Sequence, residues 1–119
     1  MIQVKRIYEP PAKSDRTRLL VERLWPRGLK KADAKLDGWL RDAAPSTTLR
    51  KWFNHDPTKW REFQQRYRDE LDQHNDAWKP ILDAARKGRV TLLFSSSDPE
   101  HNNVVALKAY LESHLKKPE

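Results

Sequence analysis

The chain of 119 residues carries 24 Lys and Arg against 17 Asp and Glu, a net charge of +7, with 37% hydrophobic and 34% charged residues. That length suits one domain with a real core, and five Trp, three Tyr and three Phe argue against disorder. The absence of cysteine excludes disulfides, Cys-ligated zinc, iron–sulfur clusters and thiol nucleophiles. No apolar run approaches the roughly 20 residues of a membrane span, and the start lacks the apolar stretch of a signal peptide, so the expectation is a cytoplasmic protein without membrane contact.

In chain order, Ile2–Tyr8 is rich in β-formers and reads as a strand, and Glu9–Thr17, with Pro10 and Pro11, reads as a loop. Arg18–Leu24 reads as a second, more buried strand, ended by Pro26 and Gly28. Leu36, Trp39, Leu40 and Ala43 recur at helical spacing, which predicts a helix near Ala32–Asp42 weakened by Gly38. Ser46 is placed to cap a short helix carrying Leu49, Trp52 and Phe53. Asp56-Pro57 is a cap followed by proline, and Trp60, Phe63, Tyr67 and Leu71 stripe the helix after it.

Asn75 or Asp76 can cap the next helix, which turns Trp78, Ile81, Leu82 and Ala85 to one side and ends at Gly88; Pro80 is taken to fall in its first turn. Arg89–Phe94 is the clearest strand. Asp98-Pro99-Glu100 then predicts the start of a last helix that runs to about Leu115 and holds His101 in its first turn. Strands first and last with helices between them predict an α/β fold: a single three-layer domain whose small, mostly parallel sheet of three or four strands is flanked by helices.

The excess charge is confined to residues 1–60, which hold 14 Lys and Arg against 7 Asp and Glu; residues 61–119 balance at 10 and 10. The densest stretch is Lys13–Lys31, with seven cations and two acids. Such a patch is a solvated surface or attracts anions, from phosphates up to nucleic acid.

Three segments carry candidate chemistry. In Phe94–Asn103, a buried strand runs into a serine-rich turn, where α/β sheets place ligands. There Ser95, Ser96 and Asn102 are candidate anion ligands, and His101 and Asp98 a candidate acid–base pair; the bland alternative is ordinary capping. In Arg50–Pro57, Arg50 is placed to clamp a phosphate or carboxylate, against pairing with Asp56 or Glu70, and His55 to carry a proton, against a simple bond to a neighbouring backbone group. In Glu22–Gly28, Arg23 and Arg27 flank Trp25 and could hold an anion and a flat ring, against a Glu22–Arg salt bridge and a core Trp. His55, Asp56, Asp98 and His101 are ligand types for zinc or iron, but their spacings match no metal motif, and no metal is assigned. With three glycines there is no Gly-rich nucleotide cradle.

Together the stretches RLWPRG, APS-x-x-LRKWF-x-HDP and D-x-x-HN resemble the YeaO-like branch of the domain-of-unknown-function 488 family, small bacterial proteins, over nearly the whole chain. The resemblance implies a three-layer α/β domain with a mostly parallel sheet. Two departures stand out. Relatives commonly carry Asp at the position of Glu22, and longer members carry cysteines near the last strand, where this chain has serines and His101-Asn102. A thiol mechanism is therefore not carried over.

The reading that follows is a polar pocket where the ends of the second and last strands meet. Arg23, Arg27 and Arg50 bind an anionic, phosphorylated or nucleotide-like ligand, and His55 and His101 are positioned for hydrolysis or group transfer. The alternative is a non-catalytic module that binds nucleic acid or protein through the basic first half. No cofactor and no oligomeric state are assigned.

Overall fold

The computed structural model describes residues 1–116. One sheet is built from β1 (Ile2–Arg6), β2 (Thr17–Leu20), β3 (Gly38–Trp39) and β4 (Val90–Phe94). Its order is β1-β4-β2-β3, and every pairing is parallel. The last strand therefore inserts between the first two, with Leu92 in register with Val4 on one side and Leu19 on the other. A central parallel strand is covered on both faces, which is why Val-Thr-Leu-Leu-Phe shows no polar alternation and all five residues are buried.

The strand period of two sorts the side chains into two clusters. On one face Ile2, Leu19, Val21, Val90, Leu92 and Phe94 enter the main core. Four helices cover them: α2 (Thr47–Phe53), α3 (Trp60–Asp72), α4 (Asn75–Lys87) and α5 (Asn103–Leu115). Phe63 and Tyr67 of α3, Ile81 of α4, and Val104 and Leu107 of α5 are almost wholly enclosed there. On the other face Ile7, Leu20 and Leu93 lie under α1 (Lys31–Ala34) and a T-shaped pair of Trp25 and Trp39, 5.3 Å between centroids. The architecture is the predicted three-layer α/β fold with a wholly parallel sheet, its third layer thin and mostly loop.

That thin layer also buries charge. Asp15 and Arg18 are both enclosed, with Arg18 Nη1 2.5 Å and Lys5 Nζ 3.0 Å from the Asp15 carboxylate. Arg18 donates further to the carbonyls of Lys35 (3.1 Å) and Ala34 (2.8 Å). One of the seven cations of the basic stretch is thus part of the structure and not of the surface. Among the described residues, no helix is long and apolar enough to cross a membrane.

Several element boundaries differ from the sequence reading. The helix expected near Ala32–Asp42 stops at Ala34, where Lys35 takes a left-handed conformation (φ 48°). Gly38 and Trp39 then pair with Leu19 and Leu20 as β3. Glycine suits this close approach, since a Cβ at Gly38 would lie 3.1 Å from Leu19 Cδ2. The second strand ends at Leu20, short of the expected Leu24, and the chain turns away at Glu22. Pro80 sits in the second turn of α4, not the first, where its missing N–H leaves the Asp76 carbonyl without its usual donor. The last helix begins at Asn103 with Asn102 as its cap, not at Asp98. Asp98 instead closes a local turn, its Oδ1 accepting from the N–H groups of Glu100 (2.9 Å) and His101 (3.0 Å).

Candidate functional site

The carboxyl ends of β2 and β4 open into a cavity of about 110 Å³. Glu22 and Arg23 follow β2, and Ser95 and Ser96 follow β4. Arg50 and Phe53 come from α2, His55 from the turn after it, and Phe63 from α3. His101, Asn102 and Asn103 close the far side.

Arg23 builds the wall and stays tied to it. Its Nε donates to the Pro45 carbonyl (3.1 Å) and its Nη2 to the Ala44 carbonyl (3.2 Å), which pins the loop before α2 to the end of β2. Ser46 caps α2 by accepting from the Leu49 N–H (3.1 Å), and Glu70 of α3 accepts from the Ser46 N–H (2.8 Å) and hydroxyl (2.5 Å). This double clamp fixes the start of the helix that presents Arg50. The Arg50 Nε is buried and has no hydrogen-bond partner among the described residues. A buried guanidinium donor without an acceptor costs about 1–3 kcal/mol, so the site is one acceptor short.

Glu22, which opens the Glu22–Gly28 segment but is not among its candidate ligands, also lines the cavity. The N–H and hydroxyl of Ser95 donate to its Oε1 at 3.1 and 3.2 Å, so Ser95 already holds a carboxylate. Burial raises the Glu22 carboxyl above its usual range, against the opposing pull of Ser95, Arg50 and His55. The alternative of a Glu22–Arg salt bridge is not met within 4 Å among the described residues; Arg50 acts on Glu22 through its field. In the sequence Glu22 stands out as a charge near the end of a buried strand and as the position where relatives carry Asp.

The two histidines reach the cavity by different routes. Asn54 and His55 both adopt left-handed backbone (φ 46° and 55°), conformations that cost a non-glycine residue roughly 1–2 kcal/mol. This reversal between α2 and the Asp56-capped turn at Pro57–Lys59 is what places His55 on the rim. His101 is oriented by Asp98, whose Oδ2 lies 3.0 Å from its Nδ1, and its ring packs edge-on against Trp60 at 5.3 Å. The carboxylate can only accept, so the Nδ1–H donates to it and the Asp98 contact fixes the ring's orientation. The Glu100 and His101 N–H groups, with the His101 ring, hold the Asp98 carboxyl below its usual range.

Of the remaining candidates, Ser96 lines the cavity, its hydroxyl accepting from the Asp98 N–H (3.1 Å). Asn102 lines it too, but both its side-chain groups are engaged, Oδ1 by the Val105 N–H (3.0 Å) and Nδ2 by the Asp98 carbonyl (2.9 Å). Trp25 and Arg27 lie outside the cavity lining. Trp25 packs on Trp39 beneath the opposite face and donates to the Leu29 carbonyl (2.7 Å), and Arg27 is exposed. Among the described residues, no group of three or more His, Asp and Glu side chains is arranged to hold a metal ion.

Fold and site together define a small α/β protein with a mixed-charge pocket at the carboxyl edge of a parallel sheet. The chain belongs to the family described as the inactive DUF488-N3 subclade, whose model it matches over residues 1–119. It is 43% identical over 112 residues to the uncharacterized protein YeaO of Escherichia coli K12, an alignment covering 94% of this chain and 97% of the relative. It is also 43% identical over 70 residues to the uncharacterized protein Mb3100c of Mycobacterium bovis, covering 59% of each chain. No solved structure matches it significantly.

Proposed function

We propose that the pocket binds a small oxyanion, or the anionic end of a larger phosphorylated or nucleotide-like ligand, with Arg50 as the anchor. The reading is carried by Arg50, which lines a cavity at the sheet's carboxyl edge and whose buried Nε has no acceptor among the described residues. Arg23 shapes the pocket, and His55 and His101 contact the ligand from opposite sides. The oriented His101–Asp98 pair suits proton transfer in a hydrolysis or group transfer. The family's description as inactive favours binding without turnover. A cytoplasmic setting belongs to the same proposal.

The test is thermal unfolding at matched ionic strength against phosphate, nucleotides, and short single- and double-stranded DNA. Stabilisation by phosphate-bearing small molecules that disappears in Arg50→Ala supports the pocket. The second reading is nucleic-acid binding through Lys13, Arg16, Arg27, Lys30 and Lys31, all exposed. It gives stabilisation by DNA alone, steeply lost with salt and indifferent to Arg50→Ala.

A further inference from the structure

We propose that Glu22 makes this pocket selective for oxyanions that carry a proton, hydrogenphosphate and the monoanions of phosphate monoesters, over proton-free ones such as sulfate and phosphodiesters. The inference rests on the anion-binding reading and adds the class of ligand. Size sets the first limit. A cavity of roughly 150 Å³ takes a six-membered carbon ring, so about 110 Å³ admits one phosphate-sized group and leaves the rest of a larger ligand outside.

Charge sets the second. The pocket is lined by Arg50, whose buried Nε lacks an acceptor, and by the Glu22 carboxylate. Ser95 pins Oε1 of Glu22, while Oε2 takes no hydrogen bond from any described residue. An oxyanion drawn to Arg50 meets this carboxylate, and two anions at contact repel unless one presents an O–H to the other. Hydrogenphosphate has a P–OH to donate to Oε2, and so does the monoanion of a phosphate monoester, its minor form near neutral pH. Sulfate near neutral pH has none, and neither has a phosphodiester. The same carboxylate thus discriminates against the backbone of nucleic acid.

The groups facing Glu22 are Arg50 from α2, His55 from the turn after it, Tyr67 from α3 and Ser95 after β4; Arg23 and His101 complete the polar wall. Burial raises the Glu22 carboxyl, so on acidification it protonates early and becomes a donor to any oxyanion. Selectivity narrows as pH falls.

The experiment is calorimetric titration of the full chain with inorganic phosphate, sulfate and dimethyl phosphate at fixed ionic strength and neutral pH, for wild type and Glu22→Gln. Phosphate is expected to bind about tenfold or more tighter than the other two, the range of one hydrogen bond to a charged group. In Glu22→Gln, sulfate gains and the ratio falls toward one. Equal affinities in the wild type, or a ratio unchanged in Glu22→Gln, overturn the proposal; binding still dependent on Arg50 would leave the anion pocket standing. No binding of any probe overturns both. Should Glu22→Gln fail to fold, the wild-type phosphate-to-sulfate ratio against pH decides: a ratio that does not narrow on acidification contradicts the role of Glu22.

Discussion

Replacing Asp15 by Asn probes the least obvious part of the fold, the charge cluster buried in the thin layer. Asp15 and Arg18 are 1% and 4% exposed, so removing the carboxylate's charge leaves Arg18 enclosed without its counter-ion and Lys5 without its partner. Breaking a buried pair on one side costs about 3–5 kcal/mol, a large share of the roughly 5–15 kcal/mol that holds a domain folded. At about 4 °C per kcal/mol for a chain of this size, the melting temperature falls by roughly 12–20 °C. Urea unfolding followed by circular dichroism measures the loss. The pH dependence checks the cause. Burial opposes ionisation of Asp15, but the Ala12 N–H, Lys5 and Arg18 outweigh it and hold the carboxyl below its usual range. Its stabilisation is therefore fully present above the unfolded-state value near pH 4 and is lost as pH falls through the lower folded value. The gap between wild type and Asp15→Asn is constant above about pH 5 and closes in acid. A loss below about 1 kcal/mol, or a gap that widens in acid, refutes the reasoning.

Ser46→Ala removes the cap of α2 and the hydroxyl that Glu70 holds, and is expected to cost about 1–2 kcal/mol in urea unfolding. His55→Gly relieves a left-handed non-glycine residue, so it is expected to raise stability by about 1 kcal/mol while weakening phosphate binding in titration calorimetry. Asp98→Asn leaves the turn N–H groups an acceptor but frees the His101 ring; a melting temperature changed by only a few degrees, with phosphate binding reduced severalfold, is the expected pattern.

Signals that depend on a few adjacent residues were legible in the sequence. Ser46 and Asp56-Pro57 are caps, β4 is an unbroken apolar run, and α3 carries its stripe where expected. Misread places are those where local signals compete or a distant partner decides. Asp98 and Asn102 both offer caps within one turn, and the buried Asn102 prevailed because its amide also bonds the Asp98 carbonyl. Helical spacing around Gly38 was overridden by pairing with Leu19 and Leu20. Contiguity misled at Arg23–Gly28, because the chain crosses the sheet edge there: Arg23 faces the cavity and Trp25 the opposite layer. No local pattern distinguishes Arg18, neutralised by Asp15, from Arg50, whose Nε lacks a partner. Glu22 gains its meaning only from Ser95, 73 residues away.

The central claim is that Arg50 is the missing half of a hydrogen bond to an anion. The most direct measurement follows the Arg50 Nε–H resonance by ¹⁵N-resolved NMR, assigned through Arg50→Lys, while inorganic phosphate is titrated into the full chain. The account predicts a saturable shift of that one side-chain resonance, with Ser95 and Ser96 amides moving at the same concentrations. An unmoved Arg50 Nε–H, with changes spread instead over the exposed cations of Lys13–Lys31, would contradict it.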